Sequence, residues 1–149
     1  MQVTAEEHAP GTPDVRFRAF TADLGRWWPT EFTWSGEVLA EIGIEPRIGG
    51  MCYEIGPHGF RCDWGRVLAW DPPERLTFSW QIGPQREPVP DARRCGEVEV
   101  RFPADGGVVL VHRGFERHGT NAEDYAKAME AQGWPQILRR YAEYLRSQP

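Results

Sequence analysis

Two side chains of this sequence have the type and setting for proton transfer. His112 closes the run Val108-Val109-Leu110-Val111-His112, in which residues 108, 110 and 112 share one strand face. A neutral imidazole on an apolar face can orient a ligand or exchange a proton near pH 7. It can also be a core histidine hydrogen-bonded to a neighbour, and that plainer role carries more weight. Glu54, within Met51-Cys52-Tyr53-Glu54-Ile55, is the matching carboxylate. Facing inward it is the polar partner of a cavity; facing outward it is a solvated edge charge. Asp63, between Cys62 and Trp64, has the same ambiguity. Glu97 and Glu99 lie opposite Val98, Val100 and Phe102, which places the two glutamates toward water. No nucleophile–base pair is readable, so no catalytic residue is assigned.

Aromatic residues are the second resource. Seven of the 149 residues are tryptophan. Each is a large ring whose N–H needs a partner when buried. The candidate wall for a small hydrophobic or aromatic ligand is Trp28, Trp34, Tyr53, Trp64, Phe78, Trp80, His112 and Trp134, with Glu54 and His112 as polar anchors. Phe32 and Phe115 belong to the same aromatic set. Trp80 and Trp134 fall in apolar stripes that core packing demands. Trp27, Trp28 and Trp34 cluster in a stretch without periodicity, where core packing explains them least.

Other chemistries are poorly supported. His58 lies between turn residues and His118 beside a helix start; the three cysteines form no C-x-x-C. That spacing predicts no metal site and no disulfide framework. Neither a phosphate-binding nor a nucleotide-binding fingerprint occurs, so no cofactor is expected. The net charge is −5, and Lys127 is the sole lysine among scattered arginines. Nucleic acid and membrane surfaces are therefore not expected partners. The longest aliphatic run is Val108 to Val111, and the acidic N-terminus has no apolar leader pattern. Cytoplasmic residence follows as the default.

The positioning elements follow from periodicity. Thr12 caps a helix running to Leu24, with Pro13 at its first position. Strands are predicted at Val38–Ile44, Met51–Ile55, Phe60–Trp70, Arg75–Ile82, Glu97–Phe102 and Val108–Phe115. Gly83 to Cys95, rich in proline and charge, reads as a long loop of the kind that is often functional or mobile. Asn121 caps a helix to Ala131, which Gly133-Trp134-Pro135 kinks or restarts. Beyond it Trp134, Ile137, Leu138, Tyr141 and Leu145 form one stripe. Burying that stripe on the covered face of a meander gives one two-layer α+β domain over residues 1–149. Before residue 10 the composition supports only a short strand.

Several runs resemble the bacterial homologues of the heat-shock-protein-90 ATPase activator, within the START-like (SRPBCC) superfamily. They are Phe17-Arg18-Ala19-Phe20-Thr21 with Trp27-Trp28-Pro29, Glu45-Pro46-Arg47-Ile48-Gly49-Gly50, Trp64 to Leu76, Leu110 to Phe115, and Gly133-Trp134. The resemblance implies a helix-grip fold, a curved antiparallel sheet wrapped around a long C-terminal helix with a hydrophobic cavity between. The short N-terminus departs from that pattern and implies a first strand that is truncated or irregular at the sheet edge. Ligand binding under the last helix is the leading expectation. A chaperone-ATPase modulator and an enzyme using His112 and Glu54 on an aromatic substrate are the rivals. A homodimer through an open sheet edge or the Gly83–Cys95 loop is left open.

Overall fold

Alternating apolar side chains build one seven-stranded antiparallel sheet in the computed structural model, which describes residues 1–149. The strands are β1 (Gln2–Glu7), β2 (Glu41–Ile44), β3 (Met51–Ile55), β4 (Arg61–Asp71), β5 (Arg75–Trp80), β6 (Gly96–Arg101) and β7 (Val108–Arg113). Their spatial order is β1-β7-β6-β5-β4-β3-β2. Leu76 and Phe78 of β5 pair with Val100 and Val98 of β6, and these pair onward with Leu110 and His112 of β7. All six are buried, so this row forms the inner floor.

Three helices complete the fold: α1 (Pro13–Phe20), α2 (Ala122–Ala128) and α3 (Trp134–Ser147). The α3 stripe of Trp134, Ile137, Leu138, Tyr141 and Leu145 is buried against the sheet, while Arg139, Arg140, Glu143 and Arg146 face water. This is the helix-grip arrangement. Pro135 has no N–H to donate four residues back, and the chain absorbs the loss in a π-helical turn over Met129–Gly133. The helical path therefore continues from α2 into α3. Asn121 makes no side-chain capping bond.

Three expected elements differ. The first strand is complete, with all six residues of β1 paired to β7 from Gln2–Arg113 to Glu7–Val108. A short segment suffices because β7 supplies the ladder. Residues Gly36–Val38 form a 3₁₀ turn, so β2 begins only at Glu41. Helix α1 is capped by the Thr12 hydroxyl as expected, but it stops at Phe20. The chain then folds back through short turns at Leu24–Arg26 and Thr30–Phe32.

That early stop decides the fate of the tryptophan-rich segment. Trp27 and Trp28 turn into the core, contrary to the expectation that packing explains them least. The Trp27 indole donates to the Ala19 carbonyl at 2.7 Å. Its ring packs edge-on against Tyr141 of α3 at 5.1 Å. Irregular backbone still buries its rings when a helix end aims it beneath a sheet.

Strand β4 carries two register shifts. Cys52 pairs with Gly65 but Tyr53 pairs with Asp63, so Trp64 is an extra, bulged residue. A Cβ at Gly65 would run into the Ser79 carbonyl, and only glycine permits this approach. The second shift lies between Val67 and Ala69 and leaves Leu68 exposed. Together they keep Trp64 and Val67 in the core and set Trp70 edge-on against Phe17 at 5.1 Å.

Candidate functional site

Between the sheet and the Trp27–Ser35 segment lies a small cavity of about 20 Å³, room for about one water molecule. Roomier hollows of about 370 and 400 Å³ lie elsewhere, one formed by β4 with the Pro88–Ala92 stretch and one beside α1. The floor of the small cavity is Trp28, Ile42 and Trp64, and its mouth is Phe32, Trp34, Ile82 and Arg86. Thr33 and Glu54 add polar wall.

Glu54 faces inward because Cys52 and Glu54 occupy the inner side of β3. It is 3% exposed. Its Oε1 accepts from the Trp34 backbone N–H at 3.0 Å, and its Oε2 accepts from the Ser35 N–H at 2.9 Å and the Ser35 hydroxyl at 2.8 Å. All three partners donate, so the side chain acts as a carboxylate that orders the Trp34–Ser35 turn. Tyr53, its neighbour in the strand, must then face outward. Its hydroxyl donates to Glu41, whose carboxylate pushes the phenol up to about 12, and the Arg61 guanidinium lies 4.5 Å over its ring. Consecutive strand residues cannot share a face, and Tyr53 is not part of the cavity wall. Asp63 is also outside, paired with Arg61 at 3.0 Å.

The mouth is held shut from the Gly83–Cys95 loop. Arg86, with a positive φ of 65°, donates from one guanidinium nitrogen to the carbonyls of Glu31 at 2.8 Å and Thr33 at 2.9 Å. The Trp34 indole returns a bond to the Arg86 carbonyl at 2.7 Å. The base of the loop is tied by the Gln81 side-chain amide to the Val89 carbonyl at 3.0 Å. These contacts make a latch of backbone and side-chain bonds across the opening.

The remaining predicted wall residues form the packed region behind this cavity. Trp64 stacks on Trp28, with centroids 5.6 Å apart and planes 27° from parallel. It meets Phe78 and Trp80 edge-on at 5.7 and 5.9 Å. Trp80 in turn packs on Trp134 at 5.1 Å. The Trp80 indole donates to the Tyr125 hydroxyl, which donates to the Ile82 carbonyl.

His112 lies within that region and does not line the cavity. Its Nδ1 accepts from the Trp134 indole at 3.0 Å. An indole can only donate, so the ring proton resides on Nε2, which has no protein acceptor. Burial drives the His112 pKa down from 6.5 to about 3, with His118 adding in the same direction. The ring is therefore neutral throughout the physiological range. His118 accepts from the Gly96 N–H at 3.1 Å and is likewise lowered by burial. Among the thiols, burial raises Cys52 strongly and lifts Cys95 to about 11, so neither is a thiolate at neutral pH. Glu97 and Glu99 lie on the outer face, where Arg113 approaches both and Arg101 pairs with Glu99.

Of the nine candidate ligand-binding residues, the structure thus brings Trp28, Trp34, Glu54 and Trp64 to the cavity. Phe78, Trp80, His112 and Trp134 stand behind it, and Tyr53 is on the other face. Sequence reasoning missed Thr33, Ile42, Ile82 and above all Arg86. The only signal for Arg86 was its place in a long proline-rich loop. No group of histidine, cysteine or acidic side chains has a metal-binding arrangement. No helix is long and apolar enough to cross a membrane.

Comparison with known proteins adds a family and a set of similar structures. The family model described as activator of Hsp90 ATPase homolog 1-like protein matches residues 11–146. Among solved structures, Txn09, an anthrahydroquino-gamma-pyrone synthase determined in complex with SUM, is 34% identical. That match covers 95% of each chain with a TM-score of 0.66. The self-sacrificing resistance protein CalC of Micromonospora echinospora is 25% identical, over 97% of this chain and 92% of its own, with a TM-score of 0.64. A Mesorhizobium loti protein at 19% identity covers both chains fully at TM-score 0.66 and shows the shared fold. No curated protein sequence matches the chain.

Proposed function

Because the chain belongs to the activator of Hsp90 ATPase homolog 1-like family, we propose that it binds a small hydrophobic or aromatic molecule, in the cavity between the curved sheet and the Trp27–Ser35 segment rather than under the C-terminal helix, where Trp80, His112 and Trp134 fill the space. The supporting observation is the cavity itself, where Trp28, Trp34 and Trp64 converge with Glu54 and Arg86. Apolar rings with a few placed polar groups are the usual makeup of a small-molecule site. Trp28, Trp34, Glu54 and Trp64 are the contact residues, and Phe78, Trp80, His112 and Trp134 hold them in place. Similarity to an anthrahydroquino-gamma-pyrone synthase complexed with SUM supports the same reading.

The free volume of about 20 Å³ is far below the roughly 300–1,000 Å³ of ordinary ligand pockets, so the wall must open. The least buried parts of the wall are Trp34, which is half-buried, and Arg86, which is exposed. Release of Arg86 from Glu31 and Thr33, together with release of the Trp34 indole from the Arg86 carbonyl, undoes the latch. Binding therefore proceeds by outward movement of the Gly83–Cys95 loop, while Trp28 and Trp64 remain in the core. Intrinsic tryptophan fluorescence, titrated with a panel of two- and three-ring aromatics, tests this. A saturable change that weakens in Trp34→Ala is expected; the absence of any saturable change refutes it.

Catalysis in the same cavity is the second reading, favoured by the synthase relative. In the closed form it does not use His112 as an acid or base, because a ring with a pKa of about 3 is unprotonated and its Nδ1 is engaged by Trp134. Glu54 is the remaining candidate group, and its three donors would have to be released first.

A further inference from the structure

Of the side chains that line the cavity, Trp64 alone has a buried polar atom without a protein partner, its indole N–H. Trp64 is 2% exposed. Its ring cannot easily turn to find an acceptor: the bulge of β4 fixes its backbone, and Trp28, Phe78 and Trp80 enclose the ring. A buried donor without an acceptor is costly, so a ligand that satisfies it gains more than one that does not. The other wall groups are already engaged. The Trp34 indole is bonded to Arg86, Thr33 donates to the Thr30 carbonyl at 2.7 Å, and both Glu54 oxygens hold donors.

We propose that the Trp64 indole N–H is the hydrogen-bond anchor for a carbonyl oxygen on an uncharged, planar aromatic ligand. This rests on reading the cavity as a ligand site. An indole only donates, so the ligand must accept. Phe32 and Trp34, the less buried rings of the mouth, give a planar ring system aromatic faces to lie against. A carboxylate ligand would meet the Glu54 carboxylate across the same small space, and like charges close together repel, while the one wall cation, Arg86, stands at the exposed mouth with its guanidinium on the Glu31 and Thr33 carbonyls. A cationic ligand finds no open acceptor there, because the Glu54 oxygens are occupied by Trp34 and Ser35. A neutral ketone suits the remaining chemistry.

The full chain is titrated by calorimetry with chromone, with chromane, which lacks the carbonyl, and with chromone-2-carboxylate. Proton–nitrogen spectra follow the tryptophan indole resonances in parallel. Chromone is expected to bind about five- to tenfold more tightly than chromane, the yield of one net hydrogen bond, and more tightly than its carboxylate. The Trp64 indole proton is expected to move downfield on chromone binding. Trp64→Phe keeps a ring but removes the donor, and is expected to abolish the chromone preference. Equal affinity for chromone and chromane, or a Trp64 indole resonance that stays in place while chromone binds, overturns the anchor and leaves the ligand site standing. Failure of all three compounds to bind overturns both. The resonance experiment uses the unaltered chain and does not depend on the variant folding.

Discussion

Lowering the pH from 7.5 to 5 should remove about 2 kcal/mol of stability through His112 alone. The folded protein holds this imidazole neutral, with burial carrying its pKa from 6.5 to about 3. Above pH 6.5 both the folded and the unfolded chain keep it neutral, and nothing is lost. Below pH 6.5 the unfolded chain takes up a proton that the folded chain refuses, so stability falls. The slope approaches about 1.4 kcal/mol per pH unit and persists until the folded imidazole titrates at about 3. One and a half units below the ordinary value gives the figure of about 2 kcal/mol at pH 5. His118, lowered by burial too, adds loss of the same sign. Carboxylates held low by ion pairs, Glu99 among them, also lose stability in acid. The clean readout is therefore a difference between proteins. In His112→Asn, the amide oxygen can still accept from the Trp134 indole, but nothing titrates. Urea unfolding of both proteins, followed by tryptophan fluorescence and circular dichroism across this range, measures it. The advantage of wild type over the variant should shrink by about 2 kcal/mol between pH 7.5 and 5. A gap that stays constant refutes the buried neutral ring and reopens His112 as an acid or base near pH 7.

Three further outcomes follow from the same geometry. Glu54→Gln should cost about 2–4 kcal/mol in urea unfolding, because charge-assisted bonds to Trp34 and Ser35 are weakened and an amide N–H₂ is turned on donors; a loss below about 0.5 kcal/mol would show that the turn does not depend on the carboxylate. Arg86→Ala should barely change stability, since the side chain is exposed, yet accelerate ligand association in stopped-flow fluorescence several-fold; an unchanged rate means that the wall opens elsewhere. Gly96→Ala should destabilise by about 1–3 kcal/mol, because a Cβ there lies 2.5 Å from the Arg113 carbonyl and 3.3 Å from His112 Nε2; a neutral effect would contradict the close approach of β6 to β7.

Much of this protein follows from local pattern. Alternation placed Leu76, Phe78 and Trp80 on one inner face, and the 3.6-residue stripe placed Trp134, Ile137, Leu138, Tyr141 and Leu145 on another. Two complementary apolar faces have one economical solution, so the two-layer α+β arrangement was readable before any coordinate, and the family resemblance implied its helix-grip form. Thr12 as a cap and Glu97 and Glu99 on the outer face were readable for the same reason: each depends only on residues within one turn or one strand.

Site geometry was less readable because it depends on phase and on long-range approach. Tyr53 and Glu54 were both plausible wall residues, yet a strand can offer only one of two neighbours to the core, and the partner strand decides which. Two bulges in β4 change which residues of that strand point inward, and no residue type announces them. Core packing explained Trp27 and Trp28 least in the sequence because their segment has no periodicity. They are buried because α1 stops at Phe20 and the following turns pass beneath the sheet.

Sequence by itself determined the composition of this interior: abundant indoles, few titratable groups facing inward, and no metal or nucleotide motif. Only the tertiary structure decided what those groups do. It sealed His112 against Trp134, gave both Glu54 oxygens to the Trp34–Ser35 turn, closed the mouth with Arg86 from a loop more than fifty residues away in the chain, and left the Trp64 indole without a partner. The reason is physical. Apolar burial follows from local periodicity and is not directional, whereas a hydrogen bond depends on distance and angle between atoms that meet only after the chain has closed on itself.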